Sequence, residues 1–254
     1  MNYLEGVYWD LDGTIANTEL EAHLPAFNCA FDDFGLNWFW DKKTYIDLLK
    51  IHGGKNRISY FSKVIDSSLS YEQVTKIHHR KQYHYLEIIN KNQSVKLKTG
   101  VYRLIKELNT KNVRQFIVTS SSKCQVDLLV NSLFKRFKPF EFIISSDDVD
   151  IHKPDPSPYL MAVKLSGIKT SNSVVFEDSM QGLKSSLSAE LPTIYIPSNI
   201  PTVIDQNIKI DCIVDNLGDS NKVAKVIKGP KLDKKYVDYT FLNKYLRSYF
   251  YAKD

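Results

Sequence analysis

Two aspartates two residues apart, Asp10 and Asp12, follow the apolar run Gly6-Val7-Tyr8-Trp9 and precede Gly13-Thr14. Side chains at i and i+2 of an extended segment point the same way, so both acids face one substrate at the end of a first strand. One carboxylate so placed can attack an electrophile while the other moves a proton for it. Gly13 permits a tight turn, and Thr14 adds a hydroxyl beside the pair. A blander reading is an acidic strand end turning toward a helix N-terminus. Three later segments have a similar form. Phe116-Ile117-Val118-Thr119-Ser120-Ser121-Ser122-Lys123 is an apolar run ending in hydroxyls, which alone reads equally as a helix cap. His152-Lys153-Pro154-Asp155-Pro156 holds an ammonium in a turn restricted by two prolines. Val174-Val175-Phe176-Glu177-Asp178-Ser179 ends in two acids, which the dipole of a following helix also favours. Each segment alone has an ordinary structural explanation; the four together at strand ends favour chemistry.

Such groups need elements to hold them. Strands are predicted at Gly6–Trp9, Gln115–Thr119, Glu141–Ile144, Ser173–Phe176, Thr193–Ile196 and Cys212–Val214. Helix-length segments with apolar spacing, such as Tyr102–Leu108, Val126–Phe134 and Tyr159–Leu165, separate the later ones, and this alternation predicts a parallel sheet flanked by helices. From Thr18 to Val95 the pattern changes to the amphipathic stretches Ala26–Phe34, Tyr45–Leu49, Arg57–Ile65 and Tyr71–Ile89, with no convincing strand. The expected organisation is an α/β, Rossmann-like parallel-sheet core of residues 1–17 and 96–230, with residues 18–95 inserted as an all-helical cap. Paired linkers of that kind let a cap close and exclude water. Residues 231–254, with Tyr236, Tyr239, Phe241, Tyr245, Tyr249 and Phe250, are expected to form a final helix packed on the core.

Composition narrows the function. With 254 residues, 43% hydrophobic and 25% charged, the chain can build an ordinary globular core. A net charge of +5 suits an anionic substrate but is too small and dispersed to argue for nucleic acid. The Lys222–Lys235 stretch reads as solvated surface. Three widely spaced cysteines, Cys29, Cys124 and Cys212, lack metal-type spacing and read as reduced thiols. No apolar run approaches membrane-spanning length, and the first residues carry no secretion-type signal. The expectation is a cytoplasmic monomer with neither nucleic-acid nor membrane partners, a plastid form with its transit peptide removed being the other placement.

The four segments, in this order, resemble the four motifs of the haloacid dehalogenase (HAD) phosphotransferases, and the resemblance implies roles. Asp10 is the implied nucleophile, forming an aspartyl-phosphate; Asp12 protonates the leaving alkoxide and then deprotonates water. Ser120 falls at the phosphate-binding position, with Ser121 and Ser122 in the adjoining loop. Lys153 offers a point charge to the phosphoryl oxygens and to Asp10. The implied cofactor is Mg²⁺, held by Asp10, Asp178 and the Asp12 backbone carbonyl, with Glu177 as an outer or water-mediated ligand. Sugar phosphomutases share this fold and both aspartates, so the motifs leave hydrolase and mutase open.

The resemblance extends into the cap. Glu19, His23 and Ala26-Phe27-Asn28, the run Leu48 to Arg57, and Ser59-Tyr60-Phe61 are similar to the cap signature of CbbY-type sugar phosphatases. Gly53-Gly54-Lys55-Asn56-Arg57 is its most diagnostic element. That group implies removal of the 1-phosphate of xylulose 1,5-bisphosphate, a Rubisco inhibitor, to give xylulose 5-phosphate. A bisphosphate needs a second anion site, and Gly54, Lys55 and Arg57 supply approachable amides, a charge and a guanidinium fork. Lys81 is implied to reach the substrate, although it reads first, with His78, His79 and His84, as a wet helix face. Glu19 and His23 orient sugar hydroxyls or pair with each other at the hinge. The chain departs from the pattern at Asn17 and Ser157, where acids are common, and at Ser185–Glu190, which lacks the usual Ala/Gly-rich helix end. Those departures bear on substrate placement and leave the implied nucleophile and metal ligands intact.

Overall fold

The computed structural model describes residues 3–51, 53–91, 95–198, 200, 205 and 207–251. His52 of the cap signature and residues 252–254 of the expected final helix lie outside them. The chain divides into two compact units, Thr18–Val95 and the paired segments Met1–Asn17 and Lys96–Asp254.

The first unit is helical. A π-helical turn at Glu19–His23 leads into α1 (Leu24–Asp33), whose Pro25 sits in the first turn, where a missing N–H is tolerated. Asp41 caps α2 (Lys42–Leu48) by accepting the Thr44 amide at 2.7 Å. After α3 (Gly54–Val64) comes α4 (Tyr71–Lys91), which buries Val74, Ile77, Lys81, Tyr85 and Ile89 along one stripe. Val74 and Ile77 close over an aromatic core of Phe27, Phe31, Trp40 and Tyr45. Asn28 pins the loop across that core, donating to the Trp40 carbonyl and accepting from its amide, both at 2.9 Å.

In the second unit β1 (Gly6–Trp9), β2 (Arg114–Val118), β3 (Phe142–Ile144), β4 (Ser173–Glu177), β5 (Thr193–Tyr195), β6 (Cys212–Val214) and β7 (Val226–Lys228) form one sheet, in the order β3-β2-β1-β4-β5-β6-β7. Neighbours are parallel except β6 and β7. The antiparallel β7 corrects the all-parallel expectation. Its three residues lie inside the stretch read as solvated surface, and a short strand carrying lysine suits a sheet edge. β1 is buried along its whole length, which is why it reads as a continuous apolar run. Tyr8 joins Phe116, Val118 and Val175 in one core with Tyr159 and Ala162. Trp9 points the other way, its ring 4.4 Å from Phe176 and its indole N–H on Gln115, which donates to the Ile105 carbonyl.

Helices α5 (Val101–Thr110), α6 (Lys123–Phe134), α7 (Ser157–Ser166) and α8 (Met180–Ser188) follow the strands in alternation. The final helix, α9, covers only Tyr239–Tyr251. The expected start at 231 is corrected because Asp238 accepts the Phe241 amide at 2.8 Å and so fixes the helix N-terminus there. Phe241, Tyr245 and Tyr249 of α9 are buried, with the Tyr245 hydroxyl on the Thr193 carbonyl at 2.9 Å. No helix among the described residues is long and apolar enough to cross a membrane.

Candidate active site

Strand order reverses at β1, with β2 and β3 to one side and β4, β5 and β6 to the other. The crevice at such a switch point, beyond the strand ends, is where open α/β sheets bind ligands. Register sets what meets there. Trp9 pairs with Ile117 and with Phe176, so Asp10 leaves β1 beside the ends of both neighbours. The Asp10 amide donates to the Phe176 carbonyl at 3.0 Å, and its carboxylate is buried.

Lys153 ties these strand ends together. Its ammonium donates to Asp10 Oδ1 at 2.9 Å, to the Val118 carbonyl at 2.8 Å and to Glu177 Oε1 at 2.6 Å. An ammonium has three donors, and all three are spent within the protein. Burial works against the charged Lys153, but Asp10 and Glu177 outweigh it and hold the group above its ordinary range. Burial, then Glu177, raise the Asp10 carboxyl well above the usual carboxylate range; Lys153 opposes them and Asp178 adds to them. The carboxylates that surround one ammonium contribute to both shifts, and burial adds to the Asp10 shift while opposing that of Lys153.

Asp178 lies beside Asp10 and Glu177, each offering an oxygen within 4.8 Å of the others. Thr14 donates to Asp178 Oδ1 at 3.3 Å. Gly13 is required twice over, by its φ of +86° and because a Cβ would collide with the Asp178 carboxylate. Buried oxygens in this number, short of positive charge, fit a hard divalent cation. Asp10 and Asp178 would hold it, with Glu177 adjoining.

Asp12 is half-buried and accepts from the Ser121 hydroxyl at 2.6 Å. Ser120 is exposed at the end of β2. Ser122 is occupied as a helix cap: its amide and hydroxyl both donate to Gln125 Oε1, at 3.4 and 3.1 Å. Two site residues carried no catalytic signal in the sequence. Lys98, just after the inserted segment, donates to the Gly13 carbonyl; burial lowers its pKa against the pull of Asp178 and Asp10. Tyr159, read only as an apolar helix position, donates to Glu177 Oε1 at 2.6 Å. Burial and then Glu177 raise its phenol well above the ordinary range, so it remains a donor.

Within the helical unit the wet-face reading of α4 is corrected. Lys81 is only 5% exposed, with its ammonium on His23 Nδ1 at 2.7 Å and over the rings of Phe27 and Tyr85 at 4.9 and 5.3 Å. It falls four residues after Ile77, so helical phase rather than charge sets its direction. His78 also turns inward against Gly54, and burial, with Lys81 and Lys55 adding, lowers it to about 3. His79 is exposed, and His84 pairs with Asp33 at 2.7 Å. Glu19 accepts from the Tyr45 hydroxyl at 2.5 Å. Arg57 Nε donates to the Ile51 carbonyl at 2.9 Å, and Lys55 lies 5.8 Å from the Tyr71 ring centre.

Residues 7–196 match the model of the haloacid dehalogenase-like hydrolase family. Protein CbbY of Rhodobacter capsulatus is 37% identical over 199 residues, covering 77% of this chain and 86% of that protein. A CBBY-like protein of Arabidopsis thaliana is 31% identical over 221 residues, covering 83% of this chain and 68% of that one. A crystal structure of a CbbY mutant from Rhodobacter sphaeroides, in complex with xylulose 1,5-bisphosphate, superposes with a TM-score of 0.75 at 29% identity, covering 84% of this chain and 94% of that one. Family model, sequence similarity and fold coincide: the chain belongs to the haloacid dehalogenase-like hydrolases and is a phosphatase of the CbbY type.

Proposed function

We propose that this phosphatase is Mg²⁺-dependent, works through an aspartyl-phosphate on Asp10, and removes the 1-phosphate of xylulose 1,5-bisphosphate to leave xylulose 5-phosphate. The observation that carries the reading is the Lys153 ammonium bonded at once to Asp10 and Glu177, beside Asp178. That arrangement fixes the Asp10 carboxylate at the strand ends and keeps one positive charge beside the place where a phosphoryl group would meet it. The substrate reading is supported by the ligand of the similar Rhodobacter sphaeroides structure.

Asp10 attacks phosphorus; the bond from phosphorus to the sugar oxygen breaks, and that oxygen takes a proton from Asp12. Water then attacks the same phosphorus, Asp12 takes its proton, and the Asp10 carboxylate departs from inorganic phosphate. Ser121 holds Asp12 through both transfers. Lys153 balances charge on the phosphoryl oxygens without giving up a proton, since its acidic partners hold it charged. Asp10, Asp178 and the Asp12 carbonyl would hold Mg²⁺, which would supply the positive charge that lets a carboxylate approach an anionic phosphoryl group. Ser120 is assigned to the phosphoryl oxygens, and Gly54, Lys55 and Arg57 to the second phosphate, on the chemistry of those residue types.

The test is phosphate release from xylulose 1,5-bisphosphate, with and without Mg²⁺, beside hexose and pentose monophosphates. Mg²⁺-dependent release of one phosphate, with strong preference for the bisphosphate, is the expected result. An isomerised monophosphate without free phosphate would make the protein a phosphomutase. Equal turnover of monophosphates would remove the substrate assignment.

A further inference from the structure

Tyr159 is fully buried in the core beside β2 and β4, among Phe116, Val118, Val175 and Ala162. A phenylalanine would fill such a place, and a buried hydroxyl is unfavourable there unless it finds a partner. Its partner is the active-site carboxylate. The hydroxyl donates to Glu177 Oε1 at 2.6 Å, the same oxygen that accepts Lys153 at 2.6 Å, while the Tyr159 ring centre lies 5.0 Å from the Lys153 ammonium. Glu177 is thereby made asymmetric. One oxygen carries two short bonds from buried donors; the other meets the Ser179 hydroxyl at a long 3.3 Å. Gly182 of α8 lies against the same carboxylate, and its absent side chain leaves Glu177 its space.

We propose that Tyr159 is a positioning residue for a divalent cation, saturating Glu177 Oε1 so that the carboxylate stays locked on Lys153 and presents Oε2 beside Asp10 and Asp178. Without the hydroxyl, Glu177 Oε1 keeps one donor instead of two, and Lys153 alone fixes both Glu177 and Asp10. The inference rests on the cation-dependent phosphatase reading and deepens it. A metal site depends on such outer partners for the orientation of its ligands, and losing one typically weakens affinity 10–100-fold.

The experiment is calorimetric titration of the full chain with Mn²⁺, without substrate. Four proteins are compared: wild type, Tyr159→Phe, Tyr8→Phe and Asp178→Asn. Tyr8 is the control because it shares the same core and its hydroxyl bonds Ser166 at 2.7 Å, away from the acids. A merely structural role would make the two tyrosine variants alike. The expected result is cation uptake by wild type and Tyr8→Phe, none by Asp178→Asn, and affinity lowered roughly 10–100-fold in Tyr159→Phe. Gly182→Ala, whose methyl would collide with the Glu177 carboxylate, is expected to weaken binding in the same way. Unchanged affinity in Tyr159→Phe, or equal loss in Tyr8→Phe, overturns the proposal alone. A wild type that binds no cation overturns the proposed cation dependence as well.

Discussion

Gly182→Ala sets two effects of opposite sign against each other. Gly182 lies inside α8, where alanine is the better helix former by about 1 kcal/mol. Propensity alone therefore predicts a more stable protein. The added methyl, however, would occupy the place of the Glu177 carboxylate. On a surface glutamate that collision would be relieved by rotation. Here the carboxylate is fully buried and held at 2.6 Å by both Lys153 and Tyr159, so moving it breaks one of the two buried ion pairs of that ammonium. Breaking a buried ion pair costs about 3–5 kcal/mol, which leaves a net loss of roughly 2–4 kcal/mol. For a chain of this size that corresponds to a Tm lower by on the order of 5–15 °C. Thermal melts in the presence of a chelator, followed by circular dichroism, read the stability directly; phosphate release reads the site. A variant as stable as wild type or more so, with full turnover, would refute the claim that Glu177 is fixed by these contacts.

Other perturbations separate the parts of the account. Asp10→Asn is expected to lower turnover by roughly 10³–10⁶-fold while Tm stays level or rises, since burial already disfavours the charged carboxylate and Lys153 keeps its bonds to Glu177 and Val118. Wild-type turnover in that variant would remove the nucleophile. Lys55→Ala is expected to raise KM for the bisphosphate by about 10–100-fold with little change for a monophosphate, and an equal rise for both would dissociate Lys55 from a second phosphate. Thiol labelling at pH 8 is expected to modify exposed Cys124 first and Cys29 more slowly, because burial and then Asp33 raise the latter. Buried Cys212 should react only on unfolding, burial having pushed its pKa up to about 12. The sign for stability follows: below the ordinary thiol pKa Cys212 contributes no pH dependence, and as pH rises from there toward 12 the unfolded chain alone ionises, so stability falls by up to about 1.4 kcal/mol per pH unit. Urea unfolding at pH 8 and pH 10 measures it.

What could be read from the chain before folding was whatever repeats a local rule. Apolar runs that stop at acids or hydroxyls marked the ends of β1, β2 and β4, because strands buried on both faces of a sheet look alike. The change to helical periodicity at Thr18 likewise marked the inserted unit. The residues that escaped are those whose partners are set by tertiary register. Nothing local tells that Tyr159, in the first turn of α7, will reach the last residue of β4, or that Lys98 will fold onto the Gly13 carbonyl. The α4 error was avoidable: Val74, Ile77, Tyr85 and Ile89 define a stripe that passes through Lys81, and charge was given more weight than phase. β7 was hidden by its lysine-rich surroundings, and the late start of α9 by an aspartate cap eight residues into the tail.

The central claim is covalent: Asp10 itself takes the phosphoryl group. Substrate labelled with ³²P at the 1-phosphate, quenched in acid during turnover and followed by proteolysis and mass spectrometry, tests it most directly. The account predicts hydroxylamine-labile label on the peptide containing Asp10, present in wild type and absent from Asp10→Asn. Steady turnover with no label on the protein, or label on any other residue, would contradict it.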